Sequence, residues 1–446
     1  TVDHDHRNDA VLAQCLEHDA SWWFSVNCRH NRIARQLNTA RRVCRSGAAQ
    51  RGVPSGIAVE TAGKTLFAAN VLGHSVSEVN LEAEKAALYR INYQSRLVTR
   101  VLAPLAAFPC HEPDYLYRKA KLIPWKEIMG VDQTLAVFAN LSNSKIRHSQ
   151  YAGLCLKDAI VDHFREDCGR RPDVRRIDPD VWVNLFIENN QAVISLDTSG
   201  GSLHRRGYRR EGVEAPMQET VAAAVICWTE WDGGRPLVDP MCGSGTLLAE
   251  ALMHYCRVPA GSLRNRFGFE RLPDFDRRLW ASVKAAADRG ARPLPPGLIS
   301  GSDMDAEAVE TARENLRRLP HGGNVALQRA DVRRLGDLSE RVIVCNPPYG
   351  IRLKDPGGMG RFYREIGDFL KQRCRGTTAF VYFGNREMLK HIGLKPSWKR
   401  PLNRKSIRCR AAASRSVPRR MPAYSTWRKQ PVVTTAVGAS DTGGSA

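Results

Sequence analysis

The segment Val342-Ile343-Val344-Cys345-Asn346-Pro347-Pro348-Tyr349-Gly350 is an apolar run that ends in a stiff turn followed by an aromatic. Proline removes a backbone donor and limits φ, so the Asn346 side-chain oxygen and the Pro347 carbonyl can stand as fixed, free acceptors. Two acceptors facing an NH2 group orient its nitrogen lone pair, and Tyr349 can stack on the plane of the attached base. Asn346, Pro347, Pro348 and Tyr349 are therefore the candidate catalytic group for transfer to an exocyclic amine. Transfer of an electrophilic group to such a nitrogen needs positioning more than a strong base. In isolation the tetrapeptide also reads as an ordinary turn.

Three further motifs precede it in order. Val238-Asp239-Pro240-Met241-Cys242-Gly243-Ser244-Gly245-Thr246 reads as a strand running through a glycine turn into a helix. Its glycines let the backbone approach a ligand closely. A dinucleotide fingerprint would want Gly or Ala where Leu248 stands, and the Gly-Lys-Ser/Thr of a phosphate loop is missing, so a ligand without phosphates fits better. A purely structural turn remains the alternative. Gly301-Ser302-Asp303-Met304-Asp305 places Asp303 where a carboxylate can accept hydrogen bonds from ribose hydroxyls, while Asp305 is sufficiently explained as a helix cap. Ala330-Asp331 offers a carboxylate for an adenine amino group, or simply a loop aspartate.

These motifs need a scaffold that brings strand ends together. After Gly212 the pattern alternates strand and helix, with strands predicted at Pro236–Asp239, Leu298–Asp303, Val325–Asp331, Val342–Asn346 and Thr378–Phe383. Repeated β-α units imply a doubly wound, mostly parallel α/β sheet with ligands at the carboxyl ends of its strands. Upstream, the spacing of Leu88, Ile91, Leu97, Val101 and Leu105 predicts a helix over Ala87–Phe108. A second helix is predicted over Tyr151–Phe164, and a hairpin from Val181–Ile187 to Ala192–Asp197 turning at Asn189-Asn190. That mixture predicts a small α+β domain ending near Ser199.

A chain of 446 residues with 43% hydrophobic content fits two or three globular domains. The net charge of +21 points toward a polyanionic partner. Much of it lies at the ends: about eleven Lys and Arg against one acid follow Pro396, and about eight basic residues against Glu60 span Arg29–Lys64. Both segments read as solvated chain. No apolar run is long enough to cross a membrane. The twelve cysteines show no pair spaced for zinc, so reduced thiols and no metal are expected. Cys242 and Cys345 read as structural filler.

Taken in order, these motifs resemble class I methyltransferases acting on exocyclic amines. Leu116-Tyr117-Arg118-Lys119-Ala120 to Pro124-Trp125, then Asn140 to Gln150, resembles the RNA-binding THUMP domain. Leu196 to Gly200 and Leu203-His204-Arg205-Arg206-Gly207-Tyr208-Arg209 resemble the segment that joins THUMP to a catalytic domain, and Glu214-Ala215-Pro216 to Thr220 a motif before its first strand. Together, from Leu88 to Lys399, the chain is similar to bacterial THUMP-containing guanine-N2 methyltransferases of large-subunit ribosomal RNA. The resemblance implies S-adenosyl-L-methionine as cofactor, with Asp239, Gly243 and Gly245 lining its methionine part, Asp303 its ribose and Asp331 its adenine. Asn346, Pro347 and Tyr349 would hold the target base, and Lys145, Arg147 and His148 would lie near RNA phosphates, a role their charge permits independently.

The domain organisation expected is a poorly ordered segment over 1–65, a THUMP-like RNA-binding region over 66–209, a Rossmann-like class I methyltransferase domain over 210–400 and a basic, disordered tail over 401–446. Beyond Pro401 the family would continue with a closing strand, and the tail looks unlike one. The partner expected is large-subunit ribosomal RNA, free or before assembly, in the cytoplasm, with no membrane and no obligate protein partner. Two other readings stand beside this one: an adenine-N6 DNA methyltransferase, and a catalytically impaired RNA-binding assembly factor.

Overall fold

The computed structural model of the protein describes residues 54–59, 65–70, 76–80, 85–209, 217–348, 356–383, 386–397, 399–401 and 432–437. Tyr349 and Glu214-Ala215-Pro216 lie outside them. The first part pairs seven strands: β1 (Pro54–Val59), β2 (Thr65–Asn70), β3 (Val76–Asn80), β4 (Val101–Pro109), β5 (Leu135–Ser142), β6 (Val181–Glu188) and β7 (Gln191–Asp197). Their order across the sheet is β3-β2-β1-β4-β7-β6-β5. Helices α1 (Lys85–Gln94), α2 (Pro113–Lys121), α3 (Trp125–Ile128) and α4 (Ser149–Cys168) accompany it. The apolar side of α4, with Leu156, Ile160 and Phe164, joins Leu116, Trp125, Val183, Leu185, Ile187 and Ile194 in one buried core. The β6–β7 hairpin turns as predicted, with Asn189 at φ 50° and Asn190 at φ 60°, the left-handed pair a two-residue hairpin needs.

The predicted helix over Ala87–Phe108 is corrected. It stops at Gln94, and Val101–Pro109 is strand β4, paired antiparallel with β7 and parallel with β1. A spacing of four, as between Val101 and Leu105, suits a strand's period of two as well as a helix. Pro104 decides between them: it would break a helix interior, and here it sits at a register shift between Pro104 and Ala106.

The second part follows with helices α5 (Glu219–Trp228), α6 (Thr246–Cys256), α7 (Arg277–Asp288), α8 (Ala306–Arg317) and α9 (Pro356–Arg373). Its strands are β8 (Leu237–Asp239), β9 (Ile299–Asp303), β10 (Ala326–Arg329), β11 (Val342–Cys345), β12 (Thr378–Phe383), β13 (Lys399–Pro401) and β14 (Val432–Val437). They lie in the order β10-β9-β8-β11-β12-β14-β13. The five from β10 to β12 are parallel, and β14 runs antiparallel between β12 and β13. Both faces of this sheet are covered. Val342, Val344, Phe380 and Tyr382 enter a core with α5 and α6, whereas Ile343, Cys345, Val381 and Phe383 face α9. Two-sided burial explains the unbroken apolar run before Asn346.

Two strands fall where composition predicts no order, and both expectations are corrected. Strand β1 lies inside the first 65 residues and β14 inside the basic tail. The Val-Val-Thr-Thr-Ala-Val stretch has the β-branched content a strand favours. Averaged with the arginines before it, that signal is lost. Truncation after Pro401 removes the neighbour of β12 and β13 and leaves an open parallel edge. The truncated chain is expected to melt about 5 °C or more lower and to self-associate. Unchanged melting and a monomeric profile on size-exclusion chromatography would show that β14 adds nothing.

Candidate methyl-transfer site

In a parallel sheet the strand ends share one edge, and β8, β9, β10 and β11 carry Asp239, Asp303, Asp331 and Asn346 to it. The reversal of strand order falls between β8 and β11, where such sheets open a crevice. The glycine turn is pinned there from three sides. Asp303 Oδ2 accepts from Gly243 N at 2.9 Å, the Ser302 carbonyl from Cys242 N at 2.9 Å, and Asn315 Nδ2 of α8 donates to the Ser244 carbonyl at 2.9 Å. Gly243 and Gly245 both have positive φ, 51° and 79°. A Cβ on Gly243 would meet open space, which marks exposed backbone beside the crevice, while one on Gly245 would come within 3.0 Å of the Ala312 Cβ.

Asp239 is buried and accepts from Met241 N at 3.1 Å. Burial pushes its carboxyl well above the usual range, and the neighbouring Asp303 charge adds to the rise. Asp303 is half-buried, and each of its oxygens takes one backbone N–H, from Gly243 and from Asp305 at 3.1 Å, so each keeps a lone pair for a ligand. Asp305 caps α8 by accepting from Glu307 N at 2.9 Å. Asp331 reaches the same edge, but Arg333 already holds its carboxylate, with Nε at 2.9 and 3.1 Å from the two oxygens. That bond is the main reason its carboxyl titrates below the usual range. The thiols of Cys242 and Cys345 are both raised by burial, which fits packing and not nucleophilic chemistry.

At the end of β11 the Asn-Pro-Pro turn is anchored from α9, where the Tyr363 hydroxyl donates to the Pro348 carbonyl at 3.2 Å. The Asn346 Oδ1 is buried and has no hydrogen-bond partner among the described residues. A buried acceptor left unpaired is costly unless a donor arrives with a ligand. The edge thus combines open glycine backbone, a half-free carboxylate and a fixed unsatisfied acceptor. That set suits a nucleoside-bearing cofactor beside an amine substrate.

Lys145, Arg147 and His148 are exposed and lie elsewhere, in the loop from β5 to α4. Lys145 and Arg147 line an open groove of about 570 Å³ with Asn143, Ser144 and Asn190. Sequence reasoning missed two features. Met304 stands 62% exposed between Asp303 and Asp305, an apolar surface at a polar edge. The Leu203–Arg209 segment, legible in the sequence as a joint, also grips helix α6. Arg206 Nε pairs with Glu250 at 3.2 Å, both side chains wholly buried, and Arg209 Nη2 donates to Thr246 Oγ1 at 3.0 Å.

Residues 110–197 match the THUMP domain family, and residues 206–413 match the RMKL-like methyltransferase domain. A putative RNA methyltransferase of Synechocystis is 40% identical over 327 residues, covering 73% of this chain and 85% of that protein. The chain belongs to the THUMP-containing, RMKL-like methyltransferase family. Another member, the ribosomal RNA large subunit methyltransferase K/L of Syntrophotalea carbinolica, is 40% identical over 335 residues, covering 72% of this chain and 47% of that protein. The chain thus spans about half the length of the K/L relatives it matches. A putative methyltransferase solved in complex with SAH shares the fold with a TM-score of 0.67 and 25% identity, covering 84% of this chain and 92% of that one. A predicted N6-adenine-specific DNA methylase from Listeria monocytogenes matches with a TM-score of 0.67 and 26% identity, over 84% of this chain and 90% of that one. The family's α/β methyltransferase fold, preceded by a THUMP domain, is therefore the architecture of this chain.

The buried Arg206–Glu250 pair generates a stability prediction. Arg206→Ala leaves a carboxylate buried without its cation and is expected to cost about 3–5 kcal/mol in urea unfolding. Arg206→Met combined with Glu250→Leu is expected to restore most of that loss. A single variant within error of the parent would sink the assignment.

Proposed function

We propose that the protein transfers a methyl group from S-adenosyl-L-methionine to the exocyclic N2 amine of a guanine in large-subunit ribosomal RNA. The observation that carries the reading is Asn346 Oδ1, an unsatisfied buried acceptor on a proline-stiffened turn beside the glycine loop. The cofactor supplies an electrophilic methyl on a sulfonium. Asp303 holds ribose hydroxyls through its two remaining lone pairs, and the backbone at Gly243 and Gly245 lines the methionine portion with Asp239 beneath it. Met304 gives the base of the cofactor an apolar surface. Asp331 reaches the adenine amino group while sharing its carboxylate with Arg333. Asn346 Oδ1 and the Pro347 carbonyl accept the two N–H bonds of the target amine and aim its lone pair, which is catalysis by orientation. Pro348 and the Tyr363 anchor keep those acceptors in place, and Tyr349 stacks on the base. Lys145, Arg147 and His148 meet RNA phosphates.

The names of the K/L relatives and the THUMP match support an RNA target over the DNA adenine reading that the name of the Listeria protein suggests. Methyl transfer from radiolabelled S-adenosyl-L-methionine to protein-depleted ribosomal RNA, transfer RNA and duplex DNA, followed by nucleoside analysis, tests both. N2-methylguanosine in large-subunit RNA is expected, and label on DNA adenine would overturn it. Asn346→Ala is expected to lower turnover by about a hundredfold or more while cofactor affinity stays within about twofold. Unchanged turnover would remove Asn346 from the mechanism. For Asp303→Ala the expected effect is the reverse, a loss of about tenfold or more in cofactor affinity measured by calorimetry. Parental affinity would show that Asp303 does not touch the cofactor.

A further inference from the structure

The turn after helix α4 is held more firmly than its exposure suggests. Pro172 and Pro179 are buried at its two ends. Between them, Leu135 N donates to the Asp173 carbonyl and Arg175 N to the Leu135 carbonyl, each at 2.9 Å, so the turn is stitched to the start of β5. Asp178 has φ 47°, a conformation a β-carbon disfavours, and Arg266 from the catalytic part fixes it with a 2.8 Å ion pair. Arg266 and Arg271 also pair with Asp180, at 3.6 and 3.3 Å. The turn therefore stands rigidly at the junction of the two parts.

Its outward face is cationic and partly apolar. Arg171, Arg175 and Arg176 are exposed, and among the described residues their guanidinium groups have no ion-pair or hydrogen-bond partner. Most nearby carboxylates are already committed, Asp132 to Arg170, Glu166 to Lys121, Asp167 to Lys126 and Asp178 to Arg266, which leaves the exposed Asp173 as the one acid of the turn set against these three arginines. Ile177, at the tip, is 80% exposed and Val174 51%. A rigid turn that gathers three unpaired guanidinium groups against a single acid, Asp173, around an exposed aliphatic tip meets a sugar-phosphate backbone well. The cations neutralise phosphates, and the aliphatic tip lies against ribose or base faces.

We propose that the Arg171–Arg175–Arg176 turn is a second RNA-backbone site of the protein, separate from the Lys145–His148 loop and next to the catalytic part. It rests on the reading that the substrate is RNA. The two basic surfaces lie at opposite ends of α4, whose 20 residues span about 30 Å. An RNA held at both is laid along the first domain, with its junction end delivered to the catalytic part. The turn sets where the strand enters, and the distal loop sets its direction.

The test uses the full chain with Arg171, Arg175 and Arg176 all changed to Ser, against the parent and an Arg289→Ser control. Filter binding to a protein-free large-subunit RNA fragment is measured across potassium chloride concentrations, with thermal unfolding and cofactor affinity alongside. The slope of log affinity against log salt is expected to flatten by about 2–3 in the triple variant, with affinity down about tenfold or more, and no change in the control. An unchanged slope and affinity would overturn the site, and would leave the exposed face to a protein partner. Because binding is read directly, a parent that binds RNA through these arginines yet transfers no methyl would overturn the proposed reaction and leave the site standing. A parent that binds no RNA would overturn both.

Discussion

Arg206 and Glu250 meet with both charged groups out of water, and much of the molecule's arrangement depends on that meeting. Arg206 also donates to the Leu203 carbonyl at 2.8 Å and to the Arg96 carbonyl, while Arg96 turns to His254 at 2.7 Å. The pair thereby fastens the chain leaving the first sheet to the middle of α6. Four residues earlier on that helix, Arg209 holds Thr246 at the end of the glycine turn. Desolvating such a pair gains little net stability, but separating it is expensive. Its effect is to specify one docking of the THUMP-containing part on the methyltransferase domain.

The catalytic edge shows a different economy of polar groups. Asp239 is packed beneath the turn, Asp303 gives one lone pair of each oxygen to backbone N–H groups, and Asp331 is drawn to Arg333. Of these side chains Asn346 alone keeps a buried acceptor, Oδ1, without a hydrogen-bond partner among the described residues. A graded series of this kind lets the loops keep their shape without a ligand while one acceptor waits for an N–H donor.

How much of this was legible in the sequence follows from the range of each interaction. The catalytic sheet was readable because two-sided burial writes each parallel strand as an apolar run, and the acidic residue or Asn follows within the same motif. The Asn-Pro-Pro turn was readable for a local reason, since proline fixes its own backbone. Strand β4 is ambiguous in the sequence because Val101 and Leu105 satisfy two periods at once, and Pro104, which would break a helix interior, favours the strand. The grip of Arg206 on Glu250 joins positions far apart in sequence, which no local pattern reports. Strand β14 is masked by its basic surroundings, and the Asp331–Arg333 bond because an aspartate and an arginine two residues apart do not by themselves report a side-chain pairing.

The place of β14 has a consequence for how the chain acquires its shape. It fills the gap between β12 and β13, yet it follows both in the chain, with residues 402–431 intervening. A polypeptide emerges from its N-terminus, so the first sheet and the five parallel strands can assemble while the far side of β12 is still bare. Closure of the sheet is then a late event made by a long-range pairing, slow to form because positions far apart in sequence must be brought together. Until it happens, the nascent chain carries an adhesive edge beside a crevice already formed at the carboxyl ends of its parallel strands.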